Sequence, residues 1–191
     1  MADSKFVKDF SNLINAGFPY IYIPSYEEER ITNTIAAALQ DRELIKNPRK
    51  LCVWTQTDGL VCEDSKVRDT ATPINALESI IKSKDEAIYV FKDFHIFFGG
   101  ERNTRPDYGI IRKLRDIIPM LKASRKTIVF ISPRLVIPCD MEKEISVLDF
   151  CLPTQDEVTG LLDELISSLS PENVKLTPDE KSTLARAALG L

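Results

Sequence analysis

Apolar residues follow two rhythms along this chain, one of helical period and one of short unbroken runs. Over 4–16, Phe6, Phe10, Leu13 and Ile14 share one helical face, and Gly17 supplies a stop. Tyr20–Pro24 is a solid apolar run, the mark of a short buried strand. Ser25 stands where it can cap a second helix, with Glu27, Glu28 and Glu29 in the first turn that the macrodipole favours for acids. Ile31, Ile35 and Leu39 carry that helix to about Gln40. Further runs at 51–55, 87–91, 127–131 and 145–150 predict four more strands. Between them, Asp58-Gly59 signals a turn and 63–72 reads as a polar, mobile loop. Pro73 opens a helix through Ile74, Leu77, Ile80 and Ile81, and another helix spans 107–123. Two helical segments follow, 154–169 and 178–189, the second introduced by a capping box of Thr177 and Glu180 with Pro178 at the first helical position.

Strands that are solid runs, alternating with helices, predict a three-layer α/β/α domain on a five-stranded, mainly parallel sheet covered on both faces. The α/β core takes residues 1–153, and 154–191 forms a helical tail. In such sheets ligands bind beyond the carboxyl ends of the strands, near the point where strand order reverses. The residues that follow each strand are therefore the ones to inspect.

Composition narrows the classes. A chain of 191 residues buries a sizeable core without help from disulfides or metals. Apolar residues at 43% and charged ones at 28% exclude a disordered chain. The net charge of −4 excludes nucleic-acid binding on bulk charge and leaves that role to a local patch. Cys52, Cys62, Cys139 and Cys151 include no C-x-x-C pair, and the one histidine, His95, does not complete a zinc set, so no metal is expected. Cys52 and Cys151 lie in apolar runs and read as buried, reduced thiols, in keeping with a cytoplasmic setting. The first residues lack the apolar stretch of a secretory signal, and no run reaches the roughly 20 residues of a membrane span, so membrane insertion is not expected.

The first strand leads into Pro24-Ser25-Tyr26-Glu27-Glu28-Glu29-Arg30. A phosphate-gripping loop of the form G-x-x-x-x-G-K-[ST] needs glycines, so that backbone N–H groups can close on phosphate, and a lysine that reaches its oxygens. Neither is present here, and no glycine in the chain is followed by lysine. Each carboxylate would repel a phosphate charge at 4 Å by about 4 kcal/mol at an effective dielectric of 20. After the third strand, Lys92-Asp93-Phe94-His95 puts an acid where phosphate-loop enzymes hold magnesium, although a lone aspartate at a strand end is more often an acceptor that caps its loop. After the fourth, Ser132-Pro133-Arg134 offers a hydroxyl and a guanidinium, or simply a turn with a solvated arginine. No residue reads as catalytic.

The sharpest local charge feature is 101–126, with eight basic residues against three acidic ones. Arg105, Arg112, Arg115 and Arg125 belong to it, along with Arg102, Lys113, Lys122 and Lys126, opposite Glu101, Asp107 and Asp116. On a helix, Arg112 and Arg115 share a face with Lys122 about two turns on, while Ile111, Leu114, Ile118 and Leu121 face the core. Such a stretch is a solvated face, a surface for an acidic protein partner, or a nucleic-acid contact. Without exposed aromatics for base stacking, a protein partner ranks ahead of nucleic acid.

Taken together, A-G-F-P-Y-I-Y-I-P-S-Y-E-E-E-R at 16–30, V-W-T-Q-T-D-G-L at 53–60, A-I-Y-V-F-K-D-F-H at 87–95, R-K-L-R-D at 112–116, S-R-K-T-I-V-F-I-S-P at 124–133 and V-L-D-F-C-L-P at 147–153 resemble the N-terminal region of the Ycf-type AAA ATPases. These are chloroplast reading-frame proteins of cyanobacteria and plastids, with bacterial relatives. The resemblance implies a P-loop NTPase, AAA+-like fold and a two-part protein, whose C-terminal half is an AAA+ module that uses ATP and magnesium. By the likeness Ser25 falls where Walker A should be, Asp93 at the Walker B position and Ser132 at sensor 1, while 177–191 resembles the start of a lid cut short at Gly190-Leu191, as in a fragment of a longer chain. Because Walker A is wholly absent, the expectation is a domain without cofactor that does not hydrolyse ATP alone and that regulates or assembles a larger ATPase. Its partners would be that module and neighbouring subunits, through Arg105, Arg112, Arg115, Arg125 and Arg134, in the cytoplasm or, if plastid-encoded, the stroma. The alternatives are a divergent ATP-binding hydrolase and a nucleic-acid adaptor acting through the basic helix.

Overall fold

Tyr20, Tyr22, Trp54, Tyr89, Phe91 and Phe130 point to one side of a central sheet, and Ile21, Ile23, Ile88, Val90, Val129 and Ile131 to the other. Successive strand residues alternate between faces, so a solid apolar run serves two cores at once. In the computed structural model, which describes residues 2–99, 105–152, 154–168 and 176–189, each face is roofed by a pair of helices. Helices α3 (Pro73–Lys82) and α4 (Tyr108–Ala123) cover the aromatic side through Ala76, Leu77, Ile80, Ile111, Leu114 and Leu121. Helices α1 (Ala2–Asn15) and α2 (Glu28–Gln40) cover the aliphatic side through Phe6, Phe10, Ile14, Ile31 and Ile35. Glu101, Arg102, Pro153, Gly190 and Leu191, singled out in the sequence, lie outside the described residues.

The sheet has seven strands rather than the five expected. They are β1 (Tyr20–Pro24), β2 (Lys50–Thr55), β3 (Gly59–Cys62), β4 (Ser65–Lys66), β5 (Ala87–Lys92), β6 (Thr127–Ser132) and β7 (Ile145–Val147), in the order β4-β3-β2-β5-β6-β1-β7. The five expected strands form the parallel part, and β3 and β4 extend it as an antiparallel meander at the β2 edge. From β1 the chain crosses two strand positions to β2, works back through β5 and β6, and passes to the far side of β1 for β7. Strand order thus reverses at β1, and the crevice such a reversal opens lies at the carboxyl ends of β1, β6 and β5.

The extra strands correct the reading of 63–72 as a mobile loop. Thr70 is buried; its hydroxyl donates to the Val67 carbonyl at 2.7 Å and accepts from the Leu60 amide at 2.8 Å, while its own carbonyl accepts the Trp54 indole N–H at 2.7 Å. A segment whose buried threonine satisfies an edge strand and the core tryptophan is pinned at both ends. Gly59 begins β3 at φ 73, and a Cβ there would meet Thr70 Oγ1 at 2.8 Å, so the turn needs glycine for both its conformation and its space.

Two cysteine expectations fail. Cys52 is disulfide-bonded to Cys62, which faces it across β2 and β3, because the unforeseen β3 brings the second cysteine into register. Cys151, expected to be buried, is exposed. The fifth parallel strand is also shorter than expected, ending at Val147, although the Leu148 amide still donates to the Tyr22 carbonyl at 2.9 Å.

The chain divides into two compact units, Phe6–Phe150, and Met1–Lys5 together with Cys151–Leu191. The first holds the whole sheet. The second contains α5 (Gln155–Ser168) and α6 (Pro178–Leu189), joined by Lys181 to Asp163 and by Gln155 to Ser182 at 3.1 Å. The capping box forms as expected: the Glu180 carboxylate accepts from the Thr177 amide at 2.8 Å, and the Thr177 hydroxyl accepts from the Glu180 amide at 3.3 Å.

Candidate functional site

The turn leaving β1 uses its amides on itself. Ser25 N–H donates to the Ser132 carbonyl at 2.9 Å, Glu27 N–H to the Ser25 hydroxyl at 3.1 Å, and Glu28 N–H to the Tyr26 carbonyl at 3.0 Å. A loop that grips phosphate must leave such groups free and convergent. Ser25 therefore closes a turn ahead of α2 instead of capping it; Glu27 holds the cap position and makes no side-chain cap bond. Two of the three acids here are engaged as well. Glu28 accepts from Lys92 at the end of β5, 3.0 Å away, and Glu27 accepts from Arg30 at 2.9 Å. The Arg30 guanidinium also lies 4.4 Å over the Phe150 ring.

The strand register places Ser25, Ser132 and Asp93 at the ends of three adjacent strands, β1, β6 and β5. Ser132 is fully buried beside the Tyr22 hydroxyl, which donates to the Arg134 carbonyl at 2.5 Å. Burial pushes the Tyr22 phenol above its ordinary pKa, with the Ser132 contact opposing that shift. Asp93 lies just past β5 in the left-handed region, φ 54, with its amide bonded to the Ile131 carbonyl at 2.9 Å. Its carboxylate makes no capping bond to the 3₁₀ turn it precedes, Phe94–Phe98. The loop-capping reading of Asp93 is thereby corrected: the backbone turns through the left-handed tolerance of aspartate, and the side chain is left over.

One residue beside this row was passed over in the sequence except as a failed zinc ligand. His95 is only 6% exposed, and its Nδ1 is buried without a hydrogen-bond partner, 3.9 Å from the Asp93 carboxylate. Together with Glu28, Trp54, Gln56, Lys92, Asp93 and Phe97 it lines a cavity of about 430 Å³ at the carboxyl ends of β2 and β5. The signal that could have found it was its offset, two residues past the strand-end aspartate of an apolar run. Among the described residues no group of three or more potential metal ligands converges.

The five arginines of the expected interaction surface do not form one patch. Arg112 pairs with Asp116 at 2.5 Å, Arg115 approaches Asp140 at 4.0 Å, and their neighbours Lys113 and Lys122 pair with Glu78 and Glu144. Arg125 pairs with Glu86, in the loop that enters β5, at the opposite end of the sheet from Arg134, which follows β6. Arg105 is exposed ahead of α4. Lys126 is buried and caps α3, donating to the Ile80 and Ser83 carbonyls at 2.9 and 2.6 Å.

A mainly parallel sheet with this reversal at β1, polar groups at its strand ends and helices on both faces defines a doubly wound, three-layer α/β domain. The matching solved structures include a chain of the E. coli MS115-1 HORMA:CdnC:Trip13 complex, with a TM-score of 0.53 over 88% of this chain and 58% of that one, at 11% identity. At the level of sequence, residues 6–150 match the SpoVK-like AAA ATPase, N-terminal domain, and the chain belongs to that family. The matched span coincides with the unit that holds the sheet. Curated relatives are the AAA domain-containing proteins ycf46 of Guillardia theta, 34% identical over 97% of this chain, and of Trieres chinensis, 32% identical over 98%. The chain spans about a third of the length of each, 35% in both cases.

Proposed function

We propose that this chain is a non-hydrolysing regulatory or assembly domain of a larger AAA ATPase, working without a nucleotide of its own. The observation that carries the reading is the Glu28–Lys92 pair, seated at the N-terminus of α2 where a phosphate would otherwise be held. The pair satisfies the helix dipole and the lysine together, and the turn before it has spent its amides on internal acceptors. A triphosphate would have to displace a carboxylate already bonded at 3.0 Å and open three hydrogen bonds to gain its own. ATP and magnesium belong, in this reading, to the AAA module of the longer relatives. The partners are that module and neighbouring subunits, in the cytoplasm or a plastid stroma.

The ion pairs along α4 weigh against the nucleic-acid alternative, because each paired cation has less to offer a phosphate backbone. Isothermal titration of the 191-residue chain with Mg-ATP tests the central claim. The expected result is no binding heat at high micromolar nucleotide, and measurable association with the AAA module supplied separately. Micromolar binding with turnover by the chain alone would overturn the reading.

A further inference from the structure

The cavity at the ends of β2 and β5 lies beside the turn where a nucleotide would be sought, and its chemistry differs from that of a phosphate site. Its one cation, Lys92, is committed to Glu28 at 3.0 Å. Asp93 remains: its side chain is 58% exposed, it caps nothing, and no lysine or arginine pairs with it among the described residues. Beside it is the buried Nδ1 of His95. A buried polar atom with no partner is costly to a fold, and one beside an open cavity points to a partner supplied from outside. The apolar side is formed by Ile96 and Phe97, with the fully buried Trp54 behind them, its N–H already spent on the Thr70 carbonyl. The cavity thus sets an exposed carboxylate beside a buried ring nitrogen that has no partner, with a net negative charge and the Phe97 ring on one side.

We infer that this cavity binds a planar cationic N–H donor, a guanidinium or amidinium group, with Asp93 as its carboxylate partner, His95 Nδ1 as a second acceptor and Phe97 as its stacking wall. A guanidinium suits this set because its donors lie in one plane in a rigid fork and its faces stack on aromatic rings. An ammonium offers a point charge without that fork or face, and a phosphate meets Asp93 with the wrong sign. At about 430 Å³ the space admits an arginine-sized group and its first few neighbours. The inference stands whether or not the neighbouring turn binds nucleotide, since it uses Asp93 and His95 and not the amides at Ser25–Glu28.

Because His95 is the only histidine, every imidazole signal of a ¹⁵N-labelled sample comes from this one ring. The ¹H–¹⁵N spectrum of that ring, recorded at about pH 8, above the ordinary titration range of imidazole, is followed while N-acetyl-arginine amide is added. The same titration is run with N-acetyl-lysine amide, with inorganic phosphate, and with a blocked Ala-Arg-Ala tripeptide. Expected is a saturable shift with the arginine compounds, at least about tenfold weaker with lysine and about tenfold weaker in Asp93→Asn, an exchange that keeps the left-handed tolerance of the position. Phe97→Leu is expected to weaken arginine binding severalfold while leaving far-UV circular dichroism unchanged. Tighter binding of the tripeptide assigns the group to a protein partner, and equal binding to a free small molecule. No shift at tens of millimolar, equal shifts with lysine and arginine, or a saturable shift with phosphate alone would overturn the inference.

Discussion

Lys92 Nζ lies 3.0 Å from Glu28 Oε2, joining the end of the third parallel strand to the first turn of the helix that leaves the first. The side chains are 19% and 31% exposed, so the pair is screened less than a surface ion pair. A double-mutant cycle with Glu28→Gln and Lys92→Met is expected to give a coupling of about 1 kcal/mol by urea unfolding. Glu28→Gln alone leaves Lys92 without its partner and is expected to create weak sulfate or phosphate binding absent from the parent. A coupling near zero, with no gain of anion binding, would remove the pair as the occupant of that helix terminus.

Thr70→Val keeps the shape of a buried side chain and deletes the hydroxyl that bonds Leu60 and Val67. The stranded Leu60 amide sets the expected loss at about 1–3 kcal/mol. Limited proteolysis should then cut within 63–72, which resists in the parent. Equal resistance in both would show that the segment is held by something else.

Burial raises the pKa of Tyr20, Tyr22 and Tyr89, and Tyr20 also donates to the Leu114 carbonyl at 2.6 Å. Above the unfolded phenol pKa near 10 the unfolded chain loses these protons while the folded one retains them, so the folded state binds more protons and stability falls as pH rises. The contribution is intact below about pH 10 and declines beyond it by about 1.4 kcal/mol per pH unit for each phenol still protonated. Urea midpoints measured from pH 8 upward are expected to drop steeply past about pH 10, with a shallower fall in Tyr20→Phe. A flat profile there would contradict it.

Two thiols of four, Cys139 and Cys151, are expected to react with a thiol reagent in native, unreduced protein, and all four after reduction under denaturing conditions. The Cys52–Cys62 bridge closes a short loop, and its reduction is expected to cost about 2–3 kcal/mol, read as a lower melting temperature. Four reactive thiols at the outset would show the pair reduced.

The parallel sheet was legible because each strand must be apolar on both faces, and runs such as 87–91 and 127–131 state that without ambiguity. The edge meander was not. Gly59–Cys62 is apolar but only four residues long and follows directly on a turn, and Ser65–Lys66 is two polar residues; what makes them strands is the pairing of β3 with β2 and of β4 with β3, held by the buried Thr70. The strand-end row of Ser25, Asp93 and Ser132 followed from the rule about carboxyl ends. The roles of Lys92 and His95 did not, since a strand-end lysine's partner on a distant helix and an imidazole nitrogen's lack of one are facts of three-dimensional contact. The basic stretch at 101–126 looked like a surplus because the acids that answer it, Glu78, Glu86, Asp140 and Glu144, come from elsewhere in the chain.

Both margins of the sheet are brief, two residues at β4 and three at β7, and the β4 margin carries an exposed lysine. So small a ladder of open backbone groups gives an incoming strand little to zip onto, and a charged border discourages the attempt. Copies of this domain cannot readily grow end to end by lengthening one another's sheets. A contact between copies is expected to use helix surfaces and loop tips in place of sheet extension.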